Sequence, residues 1–539
     1  MLRSFTKILR ILPRKPNNGK SQSSANSAPA SLAKVLDNNL TNIRNILGQS
    51  SDVIIHKMKL GPEKTLDAAI IYIDGLVDKN LVNQDILRPL MFHLPMVENI
   101  AEMNSGDLMQ LIKTSVLTVG DITSEQSTAN LTDTILSGNT VVLLDGVNEA
   151  IVINLRGWEA RSIEEAKNEM GIRGPRTSFV ETLRTNTAML RRIIRDPNLT
   201  FESSQIGQRS KTDVVIVYIK GVTPDSLIEE VRQRLRRINT DAILDVGYIE
   251  QFIEDSPISL FPTVANTERP DVAAARILEG RAAIIMDGSP FALTVPMLYM
   301  ESFQNPEDYY ARPYFTNLVR WLRFLSFELS IYLPAGYVAL MSFHQELIPT
   351  PLLITVSAAR EGLPLPVVFE ALLMLILFEI LREAGLRMPR SLGQAVSIVG
   401  ALVIGQAAVS AGLVGAPMVV VLATTAIASF TVPSQADVGA VLRLLMVLIA
   451  GFIGVFGIVI LSLELLSFMA SMRSFGTPYF SPIMPLNFAD LKDTLIRAPL
   501  WTMDNRPQTL NPSDSKRQGE GTKPDPGRQQ PSGGGVQNK

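Results

Sequence analysis

The chain has 539 residues, 46% apolar and only 19% charged, with positive mean hydropathy, a balance unusual for a wholly soluble protein that suggests a membrane part. A net charge of −2 supplies no basic field for nucleic acid. The absence of Cys excludes disulfides and Cys-ligated metals, and His56, His93 and His344 are too scattered for a His-rich metal site. Residues 1–36 read as a basic flexible tail. Arg3, Lys7, Arg10, Arg14 and Lys15 interrupt its apolar residues, so no signal-peptide core is expected, and no acid precedes Asp37. The tail reads as solvated or as touching anionic cytoplasmic-leaflet lipid, and both readings leave the N-terminus cytoplasmic. Ser21–Ser31 is linker-like.

From about Leu32 to Pro313 the pattern is that of a soluble α/β head, in which strand-length apolar runs alternate with amphipathic stretches. Strands are expected at Asp52–Lys59 and Asp67–Ile73, and helices at Asn80–Met91 and Thr177–Arg195. The head repeats itself. Asp67-Ala-Ala-Ile-Ile-Tyr-Ile-Asp-Gly75 matches Asp213-Val-Val-Ile-Val-Tyr-Ile-Lys-Gly221, at an offset of 146. Val-Val-Leu-Leu-Asp145-Gly146 matches Ala-Ile-Ile-Met-Asp287-Gly288, at an offset of 142. Each Asp-Gly pair between apolar runs is hairpin-turn chemistry. Convergent patterning is the plainer reading, but two anchors in the same order favour duplication. The fold class expected is therefore α/β, with tandem related subdomains over 37–160 and 161–312, followed by a polytopic α-helical transmembrane domain over 313–482.

Five spans are candidates: Phe324–Phe343, Leu363–Leu381, two within the uncharged run Ser391–Ala436, and Leu444–Leu463. That run of 46 residues is about twice the roughly 20 that one span needs, and Gly412–Pro417 supplies its turn. The positive-inside rule places Arg320, Arg323, Arg382, Arg387 and Arg390 in the cytoplasm. Five crossings would then leave Arg473, Lys492 and Arg497 outside, against the rule. Either an extra re-entrant or short crossing near Ile348–Ala359, or one candidate that does not span, would remove the conflict. Residues 483–539 read as a flexible polar tail, with Asn511–Lys539 too poor in apolar residues to fold.

The sequence carries no phosphate-binding loop, no nucleophile elbow, no His-Glu-x-x-His and no dinucleotide fingerprint after a strand. No catalytic residue, cofactor or metal is assigned. Acids within apolar spans are the informative residues, because each is costly against lipid. Glu328, Glu370 and Glu379 are candidates for an ion path, together with Thr425 and Ser429 on one helix face. Glu370 and Glu379 are nine residues apart, about 180° around a helix, so they do not line one pore by simple geometry. Satisfied buried acids are the plainer reading. Gly393, Ser397, Ala401 and Gly405 form a small-residue ridge, and Gly451, Gly454 and Gly457 a second. Either ridge packs within one subunit or between subunits.

Several ordered stretches between about 140 and 485 resemble the A subunit of GerA-type spore germinant receptors. They include Gly174-Pro-Arg-Thr-Ser-Phe-Val-Glu-Thr-Leu-Arg184, Ile277-Leu-Glu-Gly-Arg-Ala-Ala-Ile-Ile-Met-Asp-Gly-Ser-Pro290 and Glu307-Asp-Tyr-Tyr310. Phe343-His-Gln-Glu-Leu-Ile-Pro349, Phe378-Glu-Ile-Leu-Arg-Glu-Ala-Gly385, Ile398-Val-Gly-Ala-Leu-Val-Ile-Gly405 and Ser474-Phe-Gly-Thr-Pro-Tyr479 complete the set. The resemblance implies a subunit of a nutrient receptor in the inner membrane of bacterial endospores, its head facing the cytoplasm or core. It implies a B subunit similar to amino-acid transporters and a lipoprotein C subunit as partners, with homo-oligomerisation and ion conduction by the A subunit. A non-conducting membrane scaffold is the alternative. A secondary transporter is disfavoured, because the membrane half shows no inverted repeat.

Overall fold

The computed structural model describes residues 31–61, 66–97, 103–157, 169, 173–388, 400, 403–519 and 522–524. Strands β1 (Val53–Leu60), β2 (Leu66–Ile73), β3 (Ile122–Glu125), β4 (Thr140–Leu144) and β5 (Ala150–Ile153) form one sheet, in the order β1-β2-β4-β5-β3. Strands β6 (Leu199–Ile206), β7 (Thr212–Ile219), β8 (Ala265–Thr267), β9 (Ala282–Met286) and β10 (Ala292–Val295) form another, in the order β6-β7-β9-β10-β8. The order is the same in both, and every named pairing is antiparallel. Successive strand residues point to opposite faces. In β2, Ile70 belongs to one apolar cluster, with Val82, Ile86 and Ile112, while Ile71 belongs to another, with Leu40, Ile43 and Ile135. In β7, Ile216 shares a cluster with Ile228, Val231 and Ile249, while Val217 shares a different one with Leu190, Ala274 and Ile277. Burial on both faces explains why these strands read as unbroken apolar runs rather than alternating ones.

The duplication extends to single hydrogen bonds. Helix α1 (Leu36–Leu47) begins where the Leu36 amide donates to Asp145 Oδ1 at 2.8 Å. The corresponding helix in the second half, Leu183–Ile193, begins where the Leu183 amide donates to Asp287 Oδ1 at 3.0 Å. The Gly146 amide donates to Lys34 O, and the Gly288 amide to Glu181 O, each at 2.7 Å. Asn39 exchanges two bonds with Ala33, and Asn186 exchanges two with Val180. Gly146 (φ +82°) and Gly288 (φ +86°) hold the left-handed conformation that the turn requires. Thus each Asp-Gly pair does more than turn a hairpin: its carboxylate satisfies an orphan amide at a helix start.

Some expected boundaries move. Leu32 and Leu36 are buried, so the head begins before residue 37. The stretch 79–93 is a turn of α-helix followed by π-helical turns, Val82–Leu87 and Pro89–His93. The segment before Leu183 is extended rather than helical, because Ser178 and Phe179 bond the Glu268 carbonyl.

After the head, the helical passes alternate in direction. Helix Pro313–Phe343 leads away from the head, and Val367–Arg387 returns. Residues 403–410 lead out again, and Ala416–Ser429 returns. Gln435 then donates to Ser302 Oγ of the head at 2.7 Å, which places the start of Ala436–Ile453 at the head end. Gly454 (φ +72°) ends that helix, packed against Phe343 and His344 at the far end. Helix Val455–Ser471 runs back. The expected single span Leu444–Leu463 is therefore two helices folded on one another, with Gly457 against Ile449 and Ile453. An uncharged run hides this break, because only the backbone conformation at one glycine marks it.

Residues 473–519, most of which the composition assigns to a flexible tail, pack on the second half of the head. Ser474 bonds Thr263 O and the Met297 amide, and Tyr479 O accepts from the Tyr299 amide at 3.0 Å. Ser513 donates to Val222 O, and the buried Arg497 reaches the Tyr309 and Ala311 carbonyls. Asp490, Asp493 and Arg497 find partners that a window of composition does not reveal.

Candidate functional site

Among the described residues, two helices are long and apolar enough to cross a membrane: Pro313–Phe343 (31 residues) and Pro433–Ile453 (21 residues). Ala416–Ser429 and Val455–Ser471, with 14 and 17 residues, are apolar but shorter. At about 1.5 Å per residue they fall short of a hydrocarbon core of about 30 Å. Large apolar side chains are exposed along all of these helices, including Ile427, Phe452 and Leu463. Exposure on that scale marks a surface for contact with a membrane or with another protein.

Inside the bundle, two of the candidate acids are closed by arginine. Glu370, fully buried in the first turn of Val367–Arg387, accepts from Arg360 Nη2 at 2.9 Å and from the Gly415 amide at 3.2 Å. One carboxylate thus ties the loop before its own helix to the start of Ala416–Ser429. Glu379 accepts from the buried Arg443 at 2.9 Å and pairs with Arg382 at 2.8 Å. Arg443 also donates to the Ser330 carbonyl at 2.8 Å, so this pair joins three helices. The two acids stand about 13 Å apart along their helix and meet different partners.

Thr425 and Ser429 donate to carbonyls of their own helix, Val421 and Ala426, each at 2.8 Å. Glu328, half-buried on Pro313–Phe343, makes no hydrogen bond or ion pair among the described residues. Gly405 lies against Val419, and Gly451 against Val368, where an added Cβ would sit 2.5 Å from a methyl. Gly451, Gly454 and Gly457 therefore admit neighbours of the same chain. Gly393, Ser397 and Ala401 lie outside the described residues.

A polar cluster joins the first long helix to the head and to the returning segment. Arg320, 1% exposed, donates to Asp308 and Asp493, each at 2.9 Å, and to the Thr494 carbonyl. Arg323 reaches Asp308 at 2.9 Å, and the Tyr309 hydroxyl donates to Asp493 at 2.8 Å. Burial pushes the Asp493 carboxyl above the usual carboxylate range despite its arginine.

The sequence from 41 to 509 matches the family described as Bacillus/Clostridium GerA spore germination protein. The chain belongs to this family. It is 42% identical over 500 residues to spore germination protein KA of Bacillus subtilis (strain 168), covering 92% of this chain and 91% of that protein. It is 41% identical over 484 residues to "Uncharacterized membrane protein YfkQ" of the same organism, covering 89% and 92%. It is also 38% identical to the crystal structure of the N-terminal domain of the A subunit of the Bacillus megaterium spore germinant receptor GerK3. That likeness covers 50% of this chain and 98% of the domain, with a TM-score of 0.40.

In this GerA-family chain the acids stand out in the sequence, with Arg382 three residues after Glu379, but Arg360 and Arg443 do not stand out as their partners. Arg360 and Arg443 lie just outside the apolar runs: one reaches Glu370 from the loop before its helix, the other reaches Glu379 from a different helix, and neither contact leaves a spacing signal. Glu464 was also missed: it follows the apolar run by one residue and stands exposed on Val455–Ser471. A single acid midway along an otherwise uncharged 17-residue helix is the signal that could have found it.

Proposed function

We propose that the chain is a membrane subunit of a nutrient germinant receptor in bacterial endospores, seated in the spore inner membrane. It works there with a transporter-like B subunit and a lipoprotein C subunit, and copies of it assemble around an ion-conducting path. Family membership and the names of the relatives support the germination role. The alternating helical passes support a head and a C-terminal segment on one side, core-facing. That arrangement puts Arg473, Lys492 and Arg497 on the side of Arg320 and Arg323, in accord with the positive-inside rule.

Glu328 carries the conducting reading. It is an acid in an apolar helix with no ionic partner among the described residues, the usual mark of a water-lined or intersubunit position. Glu370 and Glu379 are neutralised, and the Thr425 and Ser429 hydroxyls are bonded to backbone. Any path therefore runs between copies rather than through one copy. The same closed pairs favour a second reading, a non-conducting scaffold. Flux through the reconstituted whole receptor with nutrient present separates the two. The conducting reading expects cation flux that Glu328→Gln reduces with assembly intact. Wild-type receptor that assembles, binds nutrient and passes no cation would leave the scaffold.

A further inference from the structure

We infer that the base of the head is an interfacial collar that rests in an anionic bilayer surface, rather than a part held clear of the membrane. Three separate segments meet at this level. The loop 256–261 touches the end of the last helix, where Ser259 Oγ lies 3.6 Å from Met472 Sδ. Phe261 belongs to the bundle core and packs edge-on to Tyr299. The returning segment lies along the first turns of Pro313–Phe343, where the Arg497 amide donates to Asn317 Oδ1 at 2.6 Å. Ile483 and Leu495 of that segment pack on the bundle core.

Each segment turns apolar side chains outward. Ile258 is 97% exposed, Tyr314 91% and Phe488 66%, with Trp321 and Leu486 also exposed. Along Pro313–Phe343 the exposed apolar side chains go on from Trp321 to Leu322, Leu325 and Leu329. The Tyr and Trp of this surface are the residues that settle at the headgroup level of bilayers. Arg312, Arg473 and Lys492 are exposed beside it and have no ion-pair partner among the described residues. Free cations next to an apolar, aromatic rim fit anionic headgroups above an acyl boundary. The collar rests on the membrane reading of the bundle. What it adds is that the head is anchored to lipid by its own loop and by the returning segment.

The chain has no native Cys, so single labels are clean. Full-length Ile258→Cys and Phe488→Cys, each carrying an environment-sensitive fluorophore, are reconstituted in vesicles of phosphatidylcholine and phosphatidylglycerol. Lipids brominated near the headgroup or deep in the chain serve as quenchers, with aqueous iodide for comparison. Arg209→Cys, in the β6–β7 turn at the opposite end of the sheet from Val295, is the outer control. Ile376→Cys, exposed midway along Val367–Arg387, reports on the bundle.

The collar predicts that the labels at 258 and 488 lose most of their fluorescence to shallow bromines. The label at 209 is quenched by iodide alone, and the label at 376 by deep bromines. Replacing Arg312, Arg473 and Lys492 together by Gln should reduce shallow quenching at 488. Labels at 258 and 488 as open to iodide as 209, with 376 still deep, would overturn the collar alone. Labels at 258 and 488 shielded from both quenchers would overturn it in favour of a protein partner. A label at 376 untouched by any bromine would overturn the membrane reading as well.

Discussion

The two halves of the head share strand order, helix-start carboxylates and paired asparagines, yet they differ in what surrounds them. The first half covers one face of its sheet with a short α-helix, Ser105–Leu111, and π-helical turns, Val82–Leu87, Pro89–His93 and Ile112–Val116. The second covers the matching face with regular helices, Asp225–Arg237 and Val246–Ile253. Among the described residues, the hydrogen bonds that join the head to the bundle and returning segment fall in the second half, Thr263, Met297, Tyr299, Ser302 and Asp308 being among the residues that make them. The first half is held to the second by a buried fork. Arg191 donates to both oxygens of Asp52 at 3.0 Å and stacks over Phe201, while Gly75 (φ +88°) lets Ala188 and Arg184 approach. The duplicated unit thus kept its internal wiring, while one copy acquired the docking surface.

Breaking the fork should have the largest effect. Arg191→Ala leaves Asp52 buried without its cation and should cost about 3–5 kcal/mol, as for other broken buried pairs. Faster trypsin cleavage within 31–157 of the full-length protein in detergent checks it. Cleavage at the wild-type rate would mean that the halves are joined some other way. Arg320→Ala should loosen the second half from the bundle by about 2 kcal/mol, less because Asp308 keeps Arg323. The expected sign is a lower thermal midpoint, with the returning segment cleaved first.

Asp145→Ala and Asp287→Ala test the shared wiring. Each removes an acceptor from a helix start and should cost about 1 kcal/mol, equally in the two halves. Unequal losses would say that the duplicated bonds no longer do the same work. The smallest effect concerns pH. Glu250, in the second half, has its carboxyl pushed up to about 7 by burial, then by Glu254 and Asp245. The folded state holds this proton more tightly than the unfolded chain, so stability should fall as pH rises from the usual carboxylate range to about 7. Glu250→Gln should flatten that slope, and an unchanged slope would assign it to other groups.

Much of the head was legible. The apolar runs at Ile70–Ile71 and Val214–Val217, with the two Asp-Gly anchors, gave the duplication and the strands. They did not give the helix-capping bonds of Asp145 and Asp287, which join residues more than a hundred positions apart. In the bundle, apolar length marked the helices, but composition does not report the left-handed turn at Gly454. Glu370 and Glu379 stood out as acids in apolar runs. Arg382, three residues after Glu379, is visible in the local pattern, but Arg443 reaches Glu379 only because two distant helices become neighbours, and Arg360 reaches Glu370 only through the fold of the loop before its helix.

The central claim is that the last helices fold back at Gly454, so that the head and the C-terminal segment share one side. Single cysteines at Arg209, Ser515 and Glu361, in full-length protein in sealed vesicles of one orientation, test it most directly with a membrane-impermeant maleimide. The account predicts that 209 and 515 react together while 361, next to the Arg360–Glu370 pair at the far end of the bundle, reacts only from the opposite side. Labelling of 515 together with 361, and apart from 209, would contradict it.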